Sequence, residues 1–252
     1  MSFEDIPGWE SNETLDKDVV RFNLVILGCP TEAAWEILFT NDFDKFYTST
    51  NENVGSTEEI SVATASKQVP SSVDNDLPEI MPYEERTVLI TPYIGLFGEL
   101  AGFYKKVTGH DAISYTTLQH KHHGTRPDLK AKQTEFWMDF INTPSNLMGL
   151  ATVNNWGTIS VRPLTAIEYE TTFPSGVEDE EKVPHDLCCL MKTTLHTASD
   201  FGRMGRFFGA REKFIEKMKV GTKEVFTKML DSLSIYYEEY YSQSKKFLDT
   251  IE

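Results

Sequence analysis

The chain has 252 residues, 40% hydrophobic and 12% aromatic, proportions that suit a globular protein with a sizeable core and exclude a disordered one. Its formal net charge of −15, from 39 acidic against 24 basic residues, excludes the basic footprint that nucleic-acid binding needs. The imbalance is local: residues 1–90 hold 18 acidic and 5 basic residues and 200–222 hold 3 and 6, so any contact with an anionic membrane is oriented.

The acidic start, MSFEDIPGWESNETLDKD, lacks the basic and apolar regions of a secretory leader. Apolar runs such as Leu24–Leu27 are too short to span a bilayer. Three cysteines, two of them adjacent at Cys188 and Cys189, point to a reducing compartment rather than a disulfide framework. A cytoplasmic protein is expected, with residues 1–17 an acidic tail and 18–250 a single domain.

The first periodic segment is DVVRFNLVIL, Asp18 to Leu27. Its alternation sets Val20, Phe22, Leu24 and Ile26 on one face of a half-buried strand. Gly28-Cys29-Pro30 breaks it, and Thr31 opens a short helix over TEAAWEILF with Ala34, Trp35, Leu38 and Phe39 on one side. Phe43, Phe46 and Tyr47 suggest a second short helix. Residues 57–65 read as a strand, 66–80 as a long polar loop, and Tyr83 to Thr91 as a strand again. Pro92 to Gly102, apolar but broken by three glycines, fits neither period and reads as an irregular loop. Further strands are expected over Phe103–His120, Gln133–Asn142 and Thr158–Thr172, with HKHHGTRPD and TPSNLMGLATVNNWG as connections. After the acidic loop 174–186 comes a last strand, Leu187 to Thr197. A long helix follows, with Phe214, Met218, Gly221, Val225, Met229, Leu233, Tyr236 and Tyr240 recurring at steps of three and four. A run of strands closed by one helix gives an antiparallel α+β fold with that helix on one face of the sheet.

Several residue groups invite chemistry. The loop residues Ile94, Leu96 and Phe97, hinged on glycines, could cover a cavity or enter a bilayer, or fold under the structure as a satellite cluster. Gly221 inside a helix leaves room for a ligand or for close packing. Arg203, Arg206 and Arg211 among Gly202, Gly205 and Gly209 match no nucleotide fingerprint, but with a helix N-terminus they could meet an anionic head group. His120, His122 and His123, with His110 nearby, lack a partner carboxylate or cysteine at ligand spacing and read as a solvated turn, so no metal and no cofactor is expected. No nucleophile elbow, zinc-protease or phosphate-loop motif is present. A buried Tyr115, Glu135 or Glu168 acting as acid or base is the enzymatic alternative; an interaction module whose Phe and Trp side chains plug its own interior is another.

Four stretches resemble one family. VVRFNLVILGCPTEAAWEILFTNDFDKFY, the passage from Glu85-Arg86-Thr87 through Pro92 and Gly95, the strand Ala112–Gln119 and above all FIEKMKVGTKEVFTKML (214–230) are similar to the VASt (Aster) sterol-transfer domains, members of the START-like helix-grip superfamily. The resemblance implies a curved antiparallel sheet wrapped on the C-terminal helix, with short helices after the first strand. It implies a cavity lined by Tyr115, Trp137, Met191, Phe214, Met218, Gly221 and Val225, and a lid of Pro92, Tyr93, Ile94, Gly95, Leu96 and Phe97. Arg203, Arg206 and Arg211 would meet the membrane. The partners implied are a sterol or other lipid and a membrane surface, exchanged by a non-catalytic monomer that is cytoplasmic and transiently membrane-associated.

Overall fold

The computed structural model describes residues 16–51, 55–69, 79–91, 106–107, 115–128, 132–143, 145–147, 151–175, 177–200 and 210–242. Its strands are β1 Asp16–Leu27, β2 Ser56–Val69, β3 Glu79–Thr91, β4 Tyr115–Asp128, β5 Gln133–Asn142, β6 Ser145–Leu147, β7 Ala151–Pro163 and β8 Cys188–Asp200. Helices α1 (Thr31–Ile37) and α2 (Asn41–Thr50) follow β1, and α3 (Ala166–Thr172) follows β7. The long helix α4 (Ala210–Tyr236) runs on into a π-helical turn at Tyr237–Tyr241.

All the strands join one antiparallel sheet in the order β1-β8-β7-β5-β4-β3-β2, with β6 paired to β7. From β2 to β8 the chain meanders. β1 lies beyond β8, so α1 and α2 carry the chain from one edge of the sheet to the other. The alternation in β1 holds: Val20 and Ile26 are buried, Phe22 and Leu24 half-buried, and Val19, Arg21, Asn23, Val25 and Leu27 exposed. The sheet is curved, and its ladder shifts register at Glu59/Ser61 and between Lys121 and Thr125, irregularities of the kind that add bend and twist. At Gly157 the strands come so close that a Cβ would stand 2.0 Å from the Thr194 carbonyl oxygen, a space only glycine leaves free.

Helix α1 buries Thr31, Ala33, Ala34, Trp35 and Ile37. The chain turns through Phe39 in the left-handed region (φ 62°), and the Thr40 hydroxyl caps α2 by accepting the Phe43 N–H at 3.3 Å. α4 packs on β1 and α2 with its second half. There Met229, Leu230 and Leu233 are buried, Phe226 lies 5.6 Å from Phe22, and Tyr236 sits edge-on to Phe43 and Phe46. The Ser234 hydroxyl donates to the Leu27 carbonyl and the Tyr47 hydroxyl to that of Val225. The first half of α4 stands differently. Val220 is exposed, and among the described residues a Cβ on Gly221 would meet nothing within 4 Å.

Four elements differ from the expectation drawn from the sequence, the first being the polar loop 66–80, whose residues 66–69 and 79–80 instead extend β2 and β3. HKHHGTRPD is the second half of β4, not a solvated turn: His120 and His122 are buried because Glu85 and Asp139 reach their imidazoles at 3.1 and 3.4 Å and His122 stacks on Trp137 at 3.5 Å. The run Thr158–Thr172 divides after Pro163. Its first part ends β7, which begins in the expected connection at Ala151, and its second part is α3, started by a capping box between Thr165 and Glu168. The strand expected over Phe103–His120 is realised from Tyr115 onward, whereas Lys106 and Val107 are helical.

Candidate functional site

Strand register arranges the side chains that face α4 into rows across the sheet. Phe136, Val161, Met191 and Leu24 form one row; Met138, Ile159, Thr193 and Phe22 form the next. These rows pack with Trp35, Leu38, Phe43, Met229 and Leu233 in a continuous apolar cluster, so the end of the concave face beneath α1 and α2 is filled by the protein's own side chains. The third row, Gln119, Phe140, Gly157, Leu195 and Val20, is transitional.

The fourth row is polar from β4 to β8, with the buried Val88 of β3 beside Thr117 at its end. The Thr117 hydroxyl donates to the Asn142 side-chain oxygen at 2.9 Å, and the Thr197 hydroxyl to that of Asn155 at 2.8 Å. Thr117, Asn142 and Thr197 are buried. Beside this belt Gln119, 8% exposed, and one row back Thr193, 3% exposed, each bury an oxygen that has no hydrogen-bond partner among the described residues. A buried polar atom left unmet costs about 1–3 kcal/mol, a cost a bound ligand removes. Tyr115 extends the same face of β4 past the belt, and burial pushes its phenol up to about 12. An apolar wall that ends in a few convergent polar groups is how small-molecule sites are built.

The sheet is curved and antiparallel, two short helices bridge its edges, and one long C-terminal helix closes on its concave face. This is a helix-grip architecture. No protein-family model and no curated protein matches the chain. Among solved structures it is similar to TTHA0849 from Thermus thermophilus, at 10% identity and a TM-score of 0.39, covering 86% of this chain and 97% of that one. It is also similar to the Zhui aromatase/cyclase from Streptomyces sp. R1128 (9% identity, TM-score 0.41, 90% and 98% covered). A third is norcoclaurine synthase from Thalictrum flavum (12%, 0.33, 90% and 89%). At these identities and TM-scores the likenesses carry no argument about activity.

The residues expected to line a cavity are not all brought together. Tyr115 and Met191 face α4, Met191 inside the packed end. Gly221 and Val225 lie on α4 outside that cluster: among the described residues a Cβ on Gly221 would meet nothing within 4 Å, and Val225 is 44% exposed although its carbonyl accepts the Tyr47 hydroxyl. Trp137 alternates with Phe136 and Met138 and so falls on the other face of the sheet, in a separate cluster with Met81. Phe214, Met218 and Arg211 belong to α4, but their side chains lie outside the described residues, as do the whole lid Pro92–Phe97 and Arg203 and Arg206.

The acid–base alternative loses two members. Glu135 sits on the outer face, held by Arg126 at 3.0 Å, Lys192 at 2.7 Å and the Ser160 hydroxyl at 3.2 Å. Glu168 grips Arg162 through both oxygens and closes the α3 capping box, and these hydrogen bonds hold its carboxyl down at about 2. Both are structural. Among the described residues no group of three or more His, Cys, Asp or Glu could hold a metal. The three cysteines are free and buried, and burial pushes the Cys29 thiol up to about 12.

A charged knot that the sequence did not suggest ties the short helices to the sheet. Arg86, 2% exposed, donates to Asp44 of α2 at 2.6 Å and to Glu59 of β2 at 2.5 Å. Lys121 donates to the Leu38 and Glu36 carbonyls at 2.7 and 3.3 Å, closing the end of α1, while burial lowers its ammonium to about 8. Both cations are already engaged with protein groups.

Proposed function

We propose that the chain binds an apolar ligand, a sterol or another lipid, between the concave face of the sheet and the first half of α4, and exchanges it with membranes without altering it. The observation that carries this reading is the gradient on the concave face, from an apolar packed end to a buried polar belt beneath a helix segment with open space at Gly221. Affinity would come from burying the ligand's hydrocarbon at about 25 cal/mol per Å², with the belt orienting its polar end. In this reading residues 18–250 act as one lipid-binding unit, of VASt type, behind the acidic tail 1–17. Pro92–Phe97 gate the mouth, and Arg203, Arg206 and Arg211 meet head groups at a cytoplasmic membrane surface. Non-catalytic exchange is supported by the structural commitment of Glu135 and Glu168. No helix among the described residues is long and apolar enough to cross a membrane, which accords with transient association.

The test is native purification followed by mass spectrometry of co-purifying lipids, then transfer of a fluorescent sterol between vesicles. One lipid per protein and accelerated transfer are expected. A protein that carries no lipid and takes up none of a panel of sterols, fatty acids and phospholipids refutes the reading.

A further inference from the structure

Three carboxamides stand on adjacent strands of the concave face. Asn142 and Asn155 stand on the neighbouring strands β5 and β7, one step beyond the Ile141–Trp156 pair, and Gln119 faces Phe140, diagonal to Asn142. Neighbouring strands stand about 4.8 Å apart, so Asn142 lies between the other two, with Gln119 and Asn155 each one strand away. The Thr117 and Thr197 hydroxyls donate to the Asn142 and Asn155 oxygens, which turns both NH2 groups away from the threonines as donors. Among the described residues neither NH2 group has a hydrogen-bond partner. The Gln119 oxygen is buried, an acceptor without a donor among the described residues.

We infer that Gln119, Asn142 and Asn155 form a seat for the polar end of the ligand, and that the seat takes a neutral hydroxyl in preference to a carboxylate or a bare hydrocarbon end. The inference rests on the ligand-binding reading above and deepens it. A hydroxyl both donates and accepts: its hydrogen goes to the Gln119 oxygen while its oxygen receives N–H groups from the two asparagines. A carboxylate only accepts, so the Gln119 oxygen stays buried without a donor. It also brings a charge to a face whose cations, Arg86 and Lys121, are already bound to Asp44, Glu59 and the end of α1. A hydrocarbon end leaves all three amides unmet.

The experiment uses two probe series: octadecan-1-ol, stearate and octadecane, and cholesterol beside cholest-5-ene. Displacement of 1-anilinonaphthalene-8-sulfonate from the full chain gives each affinity. In each series the alcohol is expected to bind about tenfold tighter than its partners, the worth of one buried hydrogen bond. Gln119→Leu removes that preference. Gln119→Glu keeps an acceptor of the same shape, so it retains the preference and weakens stearate further; it serves also where the leucine variant does not fold. Stearate as the tightest straight-chain ligand overturns the inference while the ligand reading stands, and so does an alcohol preference that survives Gln119→Leu. Failure of every probe to displace the dye removes the ligand reading and the seat with it.

Discussion

Replacing Arg86 by leucine tests whether the charged knot holds the short helices on the sheet. The guanidinium is 2% exposed and makes charge-assisted bonds of 2.6 and 2.5 Å to Asp44 and Glu59, whose side chains are 18% and 22% exposed. Removing one partner of a buried ion pair costs about 3–5 kcal/mol, and because both carboxylates keep some contact with water we take the lower end, about 3 kcal/mol. For a chain of this size that is a fall in Tm of about 6–12 °C. The signature lies in the pH dependence. Burial already raises the Asp44 carboxyl, and Arg86 is the main group drawing it back down. Without Arg86 that pKa climbs further above its unfolded value. The deficit of Arg86→Leu against the parent is therefore full above the climbed pKa and shrinks as the pH falls through it, because a neutral Asp44 needs no cation. Urea unfolding followed by tryptophan fluorescence at pH 7.5 and pH 5 measures both quantities. The combined change of Arg86, Asp44 and Glu59 to leucine should recover most of the loss, since apolar replacement of a whole buried cluster is often neutral. A deficit below 1 kcal/mol, or one that is the same at both pH values, refutes the reasoning.

Other perturbations probe the frame. Glu168→Gln should cost about 1 kcal/mol at pH 7, well below what the shift alone suggests because the carboxylate is 35% exposed. Since the folded pKa is depressed to about 2, that contribution is present above the unfolded value near 4.5 and disappears as pH falls through 2; equal acid denaturation of parent and variant would contradict it. Gly157→Ala should lose about 3 kcal/mol or more in urea unfolding, because the Thr194 carbonyl has to move; a loss under 1 kcal/mol would mean the strands are not so close. Gly221→Ala should gain about 1 kcal/mol in the same assay, since nothing opposes the added methyl and alanine favours the helix, and a loss of stability would show that the space is occupied.

Much of the frame was legible where hydrophobic pattern and geometry coincide. The alternation Val20-Phe22-Leu24-Ile26 and the bounds of β5 carry straight into the structure. The second half of β4 was illegible because His120, Lys121 and His122 direct their polarity to Glu85, the end of α1 and Asp139 rather than to water. α3 was hidden by an alternating TAIEYETT, although Thr165 with Glu168 three residues on is a capping-box signal that would have found it. The polar belt escaped for a related reason: Thr117, Gln119, Asn142, Asn155 and Thr197 fall on the inward phase of their strands, where alternation leads one to look for apolar residues. Trp137, expected to line the cavity, falls on the outer phase of β5, whereas its neighbours Phe136 and Met138 face inward.

The pairing of β1 with β8 has a consequence for how the protein is made. Val20 meets Leu195 across the sheet, so β1 leaves the ribosome roughly 175 residues before its neighbour. The meander from β2 to β8 closes by local steps, whereas β1 and the amphipathic segments after it pass most of synthesis with their apolar sides bare. Chaperones that shield an emerging amino-terminal segment should therefore raise the yield of this protein more than those acting on the finished chain, and a β1 moved by circular permutation to follow β8 should fold faster than the natural order.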